Sequence, residues 1–418
     1  MSTKKNIIYP KINKGVTLFK EYFKTKNKPD YQIIIIASVL ITIGIVFSYS
    51  LSIYTVIYLG YDEFHFLKRQ FAIGMFSIFL IFLFAHIKPD KLVPLISWSI
   101  LALFTIAIVF MQALPSSMTV QAGGATRWIR ILGFSISPVE FFKIGLVYYL
   151  AFSFNKRLVM ITKGSISSEI IFTLRYITIF LLTAYFVAVE QKELGQTLVI
   201  GITIFIMLIF AKINWKLLFS LVIIAIVSFA VLISYFPHRI NRIQSWWGSV
   251  QDTLSDYLPS FIADKLKIDS FNEAYQVGHS INAINNGGIF GEGISNGYIK
   301  LGFLSDVHTD FVLAGITEEI GLFGLSFIMM LFMYLIIRIF RIARLTNNNI
   351  YFYFTIGVGV SIGTSLLINT FGTSGMIPIK GLPVPLLSYG GSSLVATSIA
   401  IGLVLSISNS ISKKEANV

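Results

Sequence analysis

Three acidic residues stand where a long apolar segment begins, a place at which a carboxylate is costly unless it does chemistry or pairs with a cation. They lie in SDVHTDFVLAGITEEIG, residues 305–321. Asp310 comes first, and partial burial at a helix end would make it a stronger proton acceptor. On a helix, Glu318 would lie about 80° round from Asp310 and roughly 12 Å deeper. Asp310 is therefore the predicted catalytic residue, and Glu318 and Glu319 are predicted to pair with Lys143 or to cap another helix.

A second group of ionisable residues precedes and enters the fourth apolar segment, in GGATRWIRILGFSISPVEFFKIG, residues 123–145. Pro138 suits the first turn of a helix. Glu140 and Lys143 are three residues apart and would share one helix face. Ionisable residues inside apolar segments usually mark a functional path, although a local ion pair is the alternative. Arg127 lies upstream and could bind an anion through two parallel hydrogen bonds.

A proline-rich loop precedes the last apolar segment. In NTFGTSGMIPIKGLPVPLLSYGGSS, residues 369–393, three prolines fall within eight residues, which excludes a regular helix. Non-helical backbone at membrane depth is tolerated only against protein or a watery cavity. We therefore predict a re-entrant turn that lines a cavity, with a simple kinked loop as the alternative. Ser388 opens the segment that follows and is a candidate substrate-binding residue.

A glycine-rich stretch ends the largest loop, between residues 275 and 303. Its backbone amides could hold an anion, and a flexible loop is the alternative. Lys300 lies at its end and is a further candidate ligand for an anion. His308 is a further candidate substrate-binding residue; it is predicted to hydrogen-bond where the loop meets the next helix, with a proton shuttle as the alternative. His279 is predicted to be a polar loop residue.

The composition shows which elements must hold these residues. Of the 418 residues, 55% are hydrophobic and 13% are charged, against about 25% charged in soluble domains, and the mean hydropathy is +0.77. Apolar residues fall in blocks of about 17 to 25, the length that crosses a bilayer, and such segments must be helices. The predicted fold is an all-α polytopic membrane bundle of ten helices, at 32–50, 71–87, 93–113, 138–154, 176–190, 194–211, 215–236, 309–337, 351–371 and 385–409.

Basic residues set the orientation of this bundle. They collect in the tail of residues 1–31, which holds eight lysines, in every second loop and in the tail 410–418. Both ends are therefore predicted to be cytoplasmic, and the large loop 237–308 of the membrane domain 32–409 faces outward. The net charge of +13 is scattered over loops, which argues against a nucleic-acid partner. The chain has no cysteine, so thiol catalysis and disulfides are excluded.

Five motifs in these loops occur together and in order: GATRWI, SPVEFFK, LGQTL, HTDFVLAGITEEIGLFG and GMIPIKGLPVPLLSYGGSS. In this the chain resembles the shape, elongation, division and sporulation family over nearly its whole length. Two departures stand out. The usual Pro-Glu near the HTD motif is Ser305-Asp306 here, and the usual QPDLG is QKELG. In the second, Glu193 keeps the acidic charge whereas Lys192 replaces a proline at a helix start.

The resemblance implies a ten-helix peptidoglycan glycosyltransferase that polymerises lipid II on the outer face of the membrane. It implies a class B penicillin-binding transpeptidase as partner, together with other division proteins and membrane lipids. The family's essential aspartate corresponds to Asp310. Its conserved arginine, glutamate and lysine of the first loop and fourth helix correspond to Arg127, Glu140 and Lys143.

Such a reaction needs a base for the incoming hydroxyl and positive charge for the departing pyrophosphate. Asp310 is the predicted base, and Arg127, Lys143 and Lys300 are the predicted pyrophosphate ligands. A divalent cation, Mg²⁺ or Mn²⁺, could assist, since such ions are held by one or two carboxylates and by phosphate oxygens. Asp310 as a metal ligand is therefore a competing role. No organic cofactor is expected.

A transporter that flips a lipid-linked precursor is the main alternative function, because its path would also carry buried charges and a proline-broken segment. A flippase needs polar groups across both leaflets, whereas here they gather at the outer ends of the fourth, eighth and tenth helices. This favours an enzyme of the outer surface. The lysine-rich tail favours the cell-division branch, at the septum of the inner membrane, over the elongation branch.

Overall fold

The computed structural model describes residues 28–122, 125–131, 133–160, 166–234, 240, 244, 246–247, 275–304, 307–378 and 381–411. Several features discussed above lie outside these ranges. They are the lysine-rich tail before residue 28, most of the loop 237–308 up to residue 274, the Ser305-Asp306 departure and the tail after residue 411.

Twelve α-helices and three strands make up the described part of the chain. The helices are α1 Tyr31–Leu51, α2 Ile53–Leu59, α3 His65–Ala85, α4 Pro89–Phe110, α5 Pro138–Met160, α6 Ile166–Ala184, α7 Leu194–Phe210, α8 Trp215–Ser234, α9 Tyr275–Gly287, α10 Val312–Leu345, α11 Asn349–Thr373 and α12 Gly391–Ser408. A π-helical turn, Tyr185–Glu190, extends α6. The strands are β1 Thr119–Ala122, β2 Ala125–Ile131 and β3 Phe134–Ile136.

Ten of these helices coincide with the ten predicted segments, which confirms a polytopic helical membrane protein. In the described residues, seven helices are long and apolar enough to cross a membrane, and Leu194–Phe210 and Trp215–Val227 are shorter apolar helices. Local sequence fixes several starts. Asp30 caps α1 by accepting from the amide of Gln32, and Asn348 caps α11 by accepting from Ile350 and Tyr351.

Helices α11 and α12 form the centre of the bundle, and both are far more buried than the peripheral α3 and α4. Helix α11 packs on α5, α7 and α10, while α12 packs on α3 and α5. Helix α1 packs on α3 and α10. Successive long helices alternate in direction, so one end of the bundle holds the ends of α1, α4, α6, α8 and α11 and the starts of α3, α5, α7, α10 and α12.

A small antiparallel sheet, absent from the prediction, covers this end. Strand β2 pairs with β1 and β3. Thr126 lies opposite Gln121 and Trp128 opposite Val120, so the residue between them, Arg127, has no counterpart on β1. Such a bulge bends the strand and redirects a side chain. Sequence periodicity over segments this short does not separate a strand from a loop.

Helix α10 is broken, which corrects the prediction of one continuous helix. Gly321 has φ 69° and ψ 179°, and a Cβ there would lie 2.3 Å from the carbonyl oxygen of Ile289. The glycine-rich stretch supplies the hydrogen bonds that the helix loses. Amides of Leu322 and Phe323 donate to Gly288 and Ile289, and carbonyls of Glu318 and Glu319 accept from Glu292 and Gly293.

The glycine-rich stretch is therefore neither a flexible loop nor an anion cradle. Its first part is helix α9, which carries His279 and packs on α10. Its amides at Glu292 and Gly293 are used by carbonyls of α10. A Cβ at Gly291 would lie 2.3 Å from the carbonyl oxygen of Glu319. The glycines here let two backbones touch.

Candidate functional site

Asp310 lies just before α10. Hydrogen bonds from other parts of the protein hold the backbone carbonyls of Asp310 and of the two residues before it. The carbonyl of His308 accepts from the amide of Tyr389 at 2.9 Å. The carbonyl of Thr309 accepts from the Ser388 hydroxyl at 2.6 Å. The carbonyl of Asp310 accepts from Asn369 Nδ2 at 2.7 Å. Three successive carbonyls are thus fixed by residues of α11 and of the turn before α12.

The turn before α12 is re-entrant, as the prolines predicted. Val384, Leu386 and Leu387 are buried among the helices, and helix α12 begins only at Gly391, six residues later than predicted. Asn369 Nδ2 also donates to the carbonyl of Leu382 at 2.6 Å, which joins this turn to Asp310. Gly381, with φ 87°, faces the Asp310 carboxylate: a Cβ there would lie 3.5 Å from Oδ2.

Ser388 and His308 have internal roles, which corrects the prediction that they contact substrate. The Ser388 hydroxyl accepts from the amide of Val384 and donates to Thr309, and the side chain is buried. The His308 ring is also buried, with its centroid 4.9 Å from that of Phe66 and 5.5 Å from that of Tyr389. Both residues therefore position the HTD segment.

A buried triad occupies the start of α5. Lys143 Nζ lies 2.9 Å from Glu140 Oε2 and donates to Gln196 Oε1 at 2.8 Å. The amide of Gln196, from the first turn of α7, donates to Glu140 Oε1 at 2.6 Å. Glu140 and Lys143 also line a cleft between α5, α11 and α12, whose wall includes Leu382 and Pro383 of the re-entrant turn.

Arg127 reaches the connection between α6 and α7. Its Nε donates to the carbonyl of Gln191 at 3.0 Å, and one Nη donates to that of Lys192 at 3.3 Å. Its Nε also lies 3.8 Å from Glu193 Oε1. The bulge in β2 thus directs Arg127 to the turn that begins α7.

Glu193 lies outside the membrane-spanning helices, and its surroundings join both halves of the site. Burial raises the pKa of this carboxyl to about 7. The charges of Glu140 and Asp310 raise it as well, while those of Arg127 and Lys143 lower it. Four of the predicted site residues therefore share one electrostatic neighbourhood with Glu193.

Lys300 does not lie among these residues. It is 1% exposed, and its Nζ forms an ion pair with Glu319 at 2.5 Å and donates to the Ser50 hydroxyl. This placement leaves no surface of Lys300 for a pyrophosphate and corrects the predicted role. It also corrects the predicted pairing of Glu319 with Lys143.

Glu318 binds amides of a loop, which corrects both predicted alternatives, a pairing with Lys143 and a cap on another helix. Its Oε1 accepts from the amides of Tyr298 and Ile299 at 2.8 and 2.7 Å and from Asn286 Nδ2 at 3.1 Å. It therefore satisfies backbone groups of the loop that leads to Lys300.

Three residues of the site were not predicted from the sequence. They are Asn369, Gln196 and Glu193. Each lies in or beside a motif that was recognised, since Asn369 opens the proline-rich loop and the other two belong to QKELGQTL. A buried amide or carboxylate in a helix end needs partners. That requirement is the available signal, but the partners lie elsewhere in the sequence, on α5 for Gln196, on β2 for Glu193 and in the segments before α10 and α12 for Asn369.

Gly44 of α1 offers a test of the re-entrant turn. A Cβ at this position would lie 2.5 Å from the carbonyl oxygen of Leu387, next to the Ser388 that holds Thr309. We expect Gly44→Ala to displace the turn and to lower the initial rate of the catalysed reaction by about 10²-fold, the effect of misplacing a reacting group by an ångström.

Gly363→Ala is the matched control, because a Cβ there meets only the Ile336 side chain, at 3.5 Å. Rates and melting midpoints of both variants would be compared. Equal rates in the two variants would show that activity does not depend on the position of the turn at Leu387.

The described residues do not form a metal site by themselves. Among the described residues, no group of three or more His, Cys, Asp or Glu side chains is arranged to hold a metal ion. A cation at Asp310 could take further ligands from a bound substrate, because phosphate oxygens are suitable donors for Mg²⁺.

The known proteins that this chain resembles belong to one family. Residues 30–413 match the family model of FtsW, RodA and SpoVE, described as a cell cycle protein. The chain is 43% identical to a probable peptidoglycan glycosyltransferase FtsW of Helicobacter pylori, over 90% of this chain and 97% of that protein. It is 28% identical to a probable peptidoglycan glycosyltransferase FtsW of Geobacter metallireducens, over 93% and 97%.

Solved structures share the fold. The chain matches an aspartate-to-alanine mutant of the rod shape determining protein RodA from Thermus thermophilus with a TM-score of 0.62 and 20% identity, over 92% of this chain and 99% of that one. It matches a chain from a study of polymerization and crosslinking by a peptidoglycan synthase complex with a TM-score of 0.64 and 21% identity, over 91% and 98%.

Proposed function

The chain belongs to the FtsW, RodA and SpoVE family of cell cycle proteins, and we propose that it is a peptidoglycan glycosyltransferase that polymerises lipid II into glycan strands. The observation that carries this proposal is the placement of Asp310. Its carboxylate faces a re-entrant turn at the end of the bundle where Arg127, Glu140, Lys143 and Glu193 also lie. An acid–base group and two cations thus act on the same carboxyl, that of Glu193.

In the proposed reaction, Asp310 accepts the proton of the incoming sugar hydroxyl. The oxygen of that hydroxyl forms a bond to the anomeric carbon of the donor, and the bond from this carbon to the pyrophosphate oxygen breaks. Positive charge develops on the sugar as in other glycosyl transfers. The leaving pyrophosphate takes the bonding electrons, and Arg127 and Lys143 offset its charge.

A divalent cation remains part of the proposal. The Asp310 carboxylate would provide one ligand, and phosphate oxygens of the substrate would provide others. Such an ion would offset negative charge on the pyrophosphate.

The proposed setting is the inner membrane of a bacterium, at the division septum, with both chain ends in the cytoplasm. A class B penicillin-binding transpeptidase is the proposed partner, since glycan strands need crosslinking. The H. pylori and G. metallireducens relatives support the division branch, because both are named FtsW.

The test of the function is a gel assay of glycan product from labelled lipid II, with the purified protein and its cognate transpeptidase. Polymer that depends on this chain is the expected result. If no polymer forms but lipid II crosses the bilayer of sealed vesicles that contain the protein, the chain is a flippase.

Removing either side chain that is proposed to bind the pyrophosphate should weaken the binding of lipid II. We expect Arg127→Ala and Lys143→Ala each to raise the KM for lipid II by about 10- to 100-fold, because a hydrogen bond to a charged group contributes about 1.5–3 kcal/mol.

Arg130→Ala is the matched control, since Arg130 lies on the same strand and is exposed. It should leave the KM near that of the unsubstituted protein. A KM for Arg127→Ala equal to that of Arg130→Ala would remove Arg127 from the proposed site.

A further inference from the structure

The ligand proposed for this site is an anion, and a carboxylate lies against one of the groups that would bind it. Among the described residues, the charges of Glu140, Asp310, Arg127 and Lys143 all act on Glu193, which lies 3.8 Å from Arg127. A pyrophosphate carries negative charge on each phosphate, so its arrival at Arg127 would disfavour a charged carboxylate beside it. The carboxyl next to Arg127 would therefore bind a proton more readily when the ligand is present.

The two cations of the site are held differently. Lys143 is fixed by Glu140 at 2.9 Å and by Gln196 at 2.8 Å, and Gln196 also binds Glu140. Arg127 has only a loose carboxylate contact, 3.8 Å to Glu193, and is held instead by the carbonyls of Gln191 and Lys192. A guanidinium has further N–H donors beyond those two bonds, so Arg127 can bind an anion without leaving its place.

We propose that Glu193 is a positioning residue that matches the charge around Arg127 to the ligand: it pairs with Arg127 as a carboxylate while the site lacks pyrophosphate, and it takes up a proton when a pyrophosphate binds Arg127. This inference rests on the proposed function, because the ligand is the pyrophosphate of a lipid-linked sugar.

Glu193 is the carboxyl best placed for this change. Protonation of Glu140 would break the short contacts of the triad, and protonation of Asp310 would remove the proposed base. Protonation of Glu193 weakens its 3.8 Å contact with Arg127 and leaves the short contacts of the triad in place.

The charged groups around Glu193 agree with a titration near neutral pH. Arg127 faces it from β2, Glu140 and Lys143 from α5, and Asp310 from the segment before α10. Lys192 adjoins Glu193 in the turn. Burial already raises the pKa of the Glu193 carboxyl to about 7. A bound pyrophosphate adds negative charge and would raise that pKa further.

Proton uptake on binding sets the direction in which the Kd changes with pH. Below pH 7 Glu193 already carries the proton in the free protein, so affinity should vary little with pH. Above pH 7 each bound ligand takes up a proton, and the Kd should rise by up to about tenfold per pH unit. Asp310→Asn should move the start of this rise to lower pH, because the charge of Asp310 raises the pKa of Glu193.

The experiment is equilibrium binding of lipid II to the full chain in lipid nanodiscs between pH 6 and pH 9. All variants carry Asp310→Asn to prevent turnover, and lipid II is suitable because its pyrophosphate diester does not titrate in this range. With Glu193 present, the Kd should rise by about tenfold or more across the range. With Glu193→Gln the Kd should be flat and equal to the low-pH value.

Two further variants separate this role from a structural one. Glu193→Asp keeps a titrating carboxyl and should keep the pH dependence. Glu190→Gln removes a neighbouring carboxyl that hydrogen-bonds with Tyr185 and should also keep it. An undiminished rise with Glu193→Gln would overturn the inference and leave the proposed function intact. Absence of lipid II binding in every variant at every pH would overturn both.

Discussion

Replacing Asp310 with asparagine is expected to abolish polymerisation of lipid II while the protein stays folded. Asparagine keeps the size of the side chain and can still accept a hydrogen bond, but it cannot take a proton. Loss of a general base costs about 10²- to 10⁴-fold in rate. The backbone bonds from Asn369, Ser388 and Tyr389 do not involve the carboxylate, so the site should keep its shape.

The measurement is single-turnover formation of glycan product, with the cognate transpeptidase present in all samples. Asp62→Asn is the matched control, because Asp62 lies at the same end of the bundle as Asp310 but on the surface, in an ion pair with Lys68. A rate for Asp310→Asn within a few fold of the control would place the base elsewhere. Loss of rate together with a lower melting midpoint would indicate a structural role.

The helices were predictable because each follows from local properties of the chain. A block of about 20 apolar residues must be helical in lipid, and this rule found all ten segments. The interruption of α10 at Gly321 was not predictable in this way. A glycine is tolerated inside a helix, and only the approach of Gly288 and Ile289 from the large loop makes the break favourable by replacing the lost hydrogen bonds.

The candidate site was likewise predictable only in part. Residue type and position identified Asp310, Glu140, Lys143 and Arg127, because ionisable groups at the ends of apolar helices are rare. Their partners depend on how helices pack. Lys143 and Gln196 are 53 residues apart in sequence, and nothing in either segment specifies the other.

Lys300 shows why a cation in the right motif can still have a different role. It precedes Asp310 by ten residues, as a ligand of the same substrate could. Because Gly321 interrupts α10, the segment that carries Glu319 packs against the large loop instead of continuing a straight helix. Glu319 thereby meets Lys300 and Ser50 in the interior, and the charge of Lys300 is used within the protein.

Breaking this buried pair is expected to be the most destabilising of the substitutions considered. Lys300→Met would leave the Glu319 carboxylate without its cation, and loss of one partner of a buried ion pair costs about 3–5 kcal/mol. We expect a clear fall in the thermal unfolding midpoint in detergent. Glu319→Met should act similarly, and the double variant should recover much of the loss, since both charges are then absent.

Lys68→Met is the matched control, because it breaks an exposed pair with Asp62 and should hardly move the midpoint. The comparison also decides between the two roles of Lys300. If it served the substrate, Lys300→Met would melt like Lys68→Met and lose polymerisation alone. If it holds α10 to the large loop, stability and polymerisation should fall together in Lys300→Met and recover together in the double variant, because the same segment leads directly into Asp310.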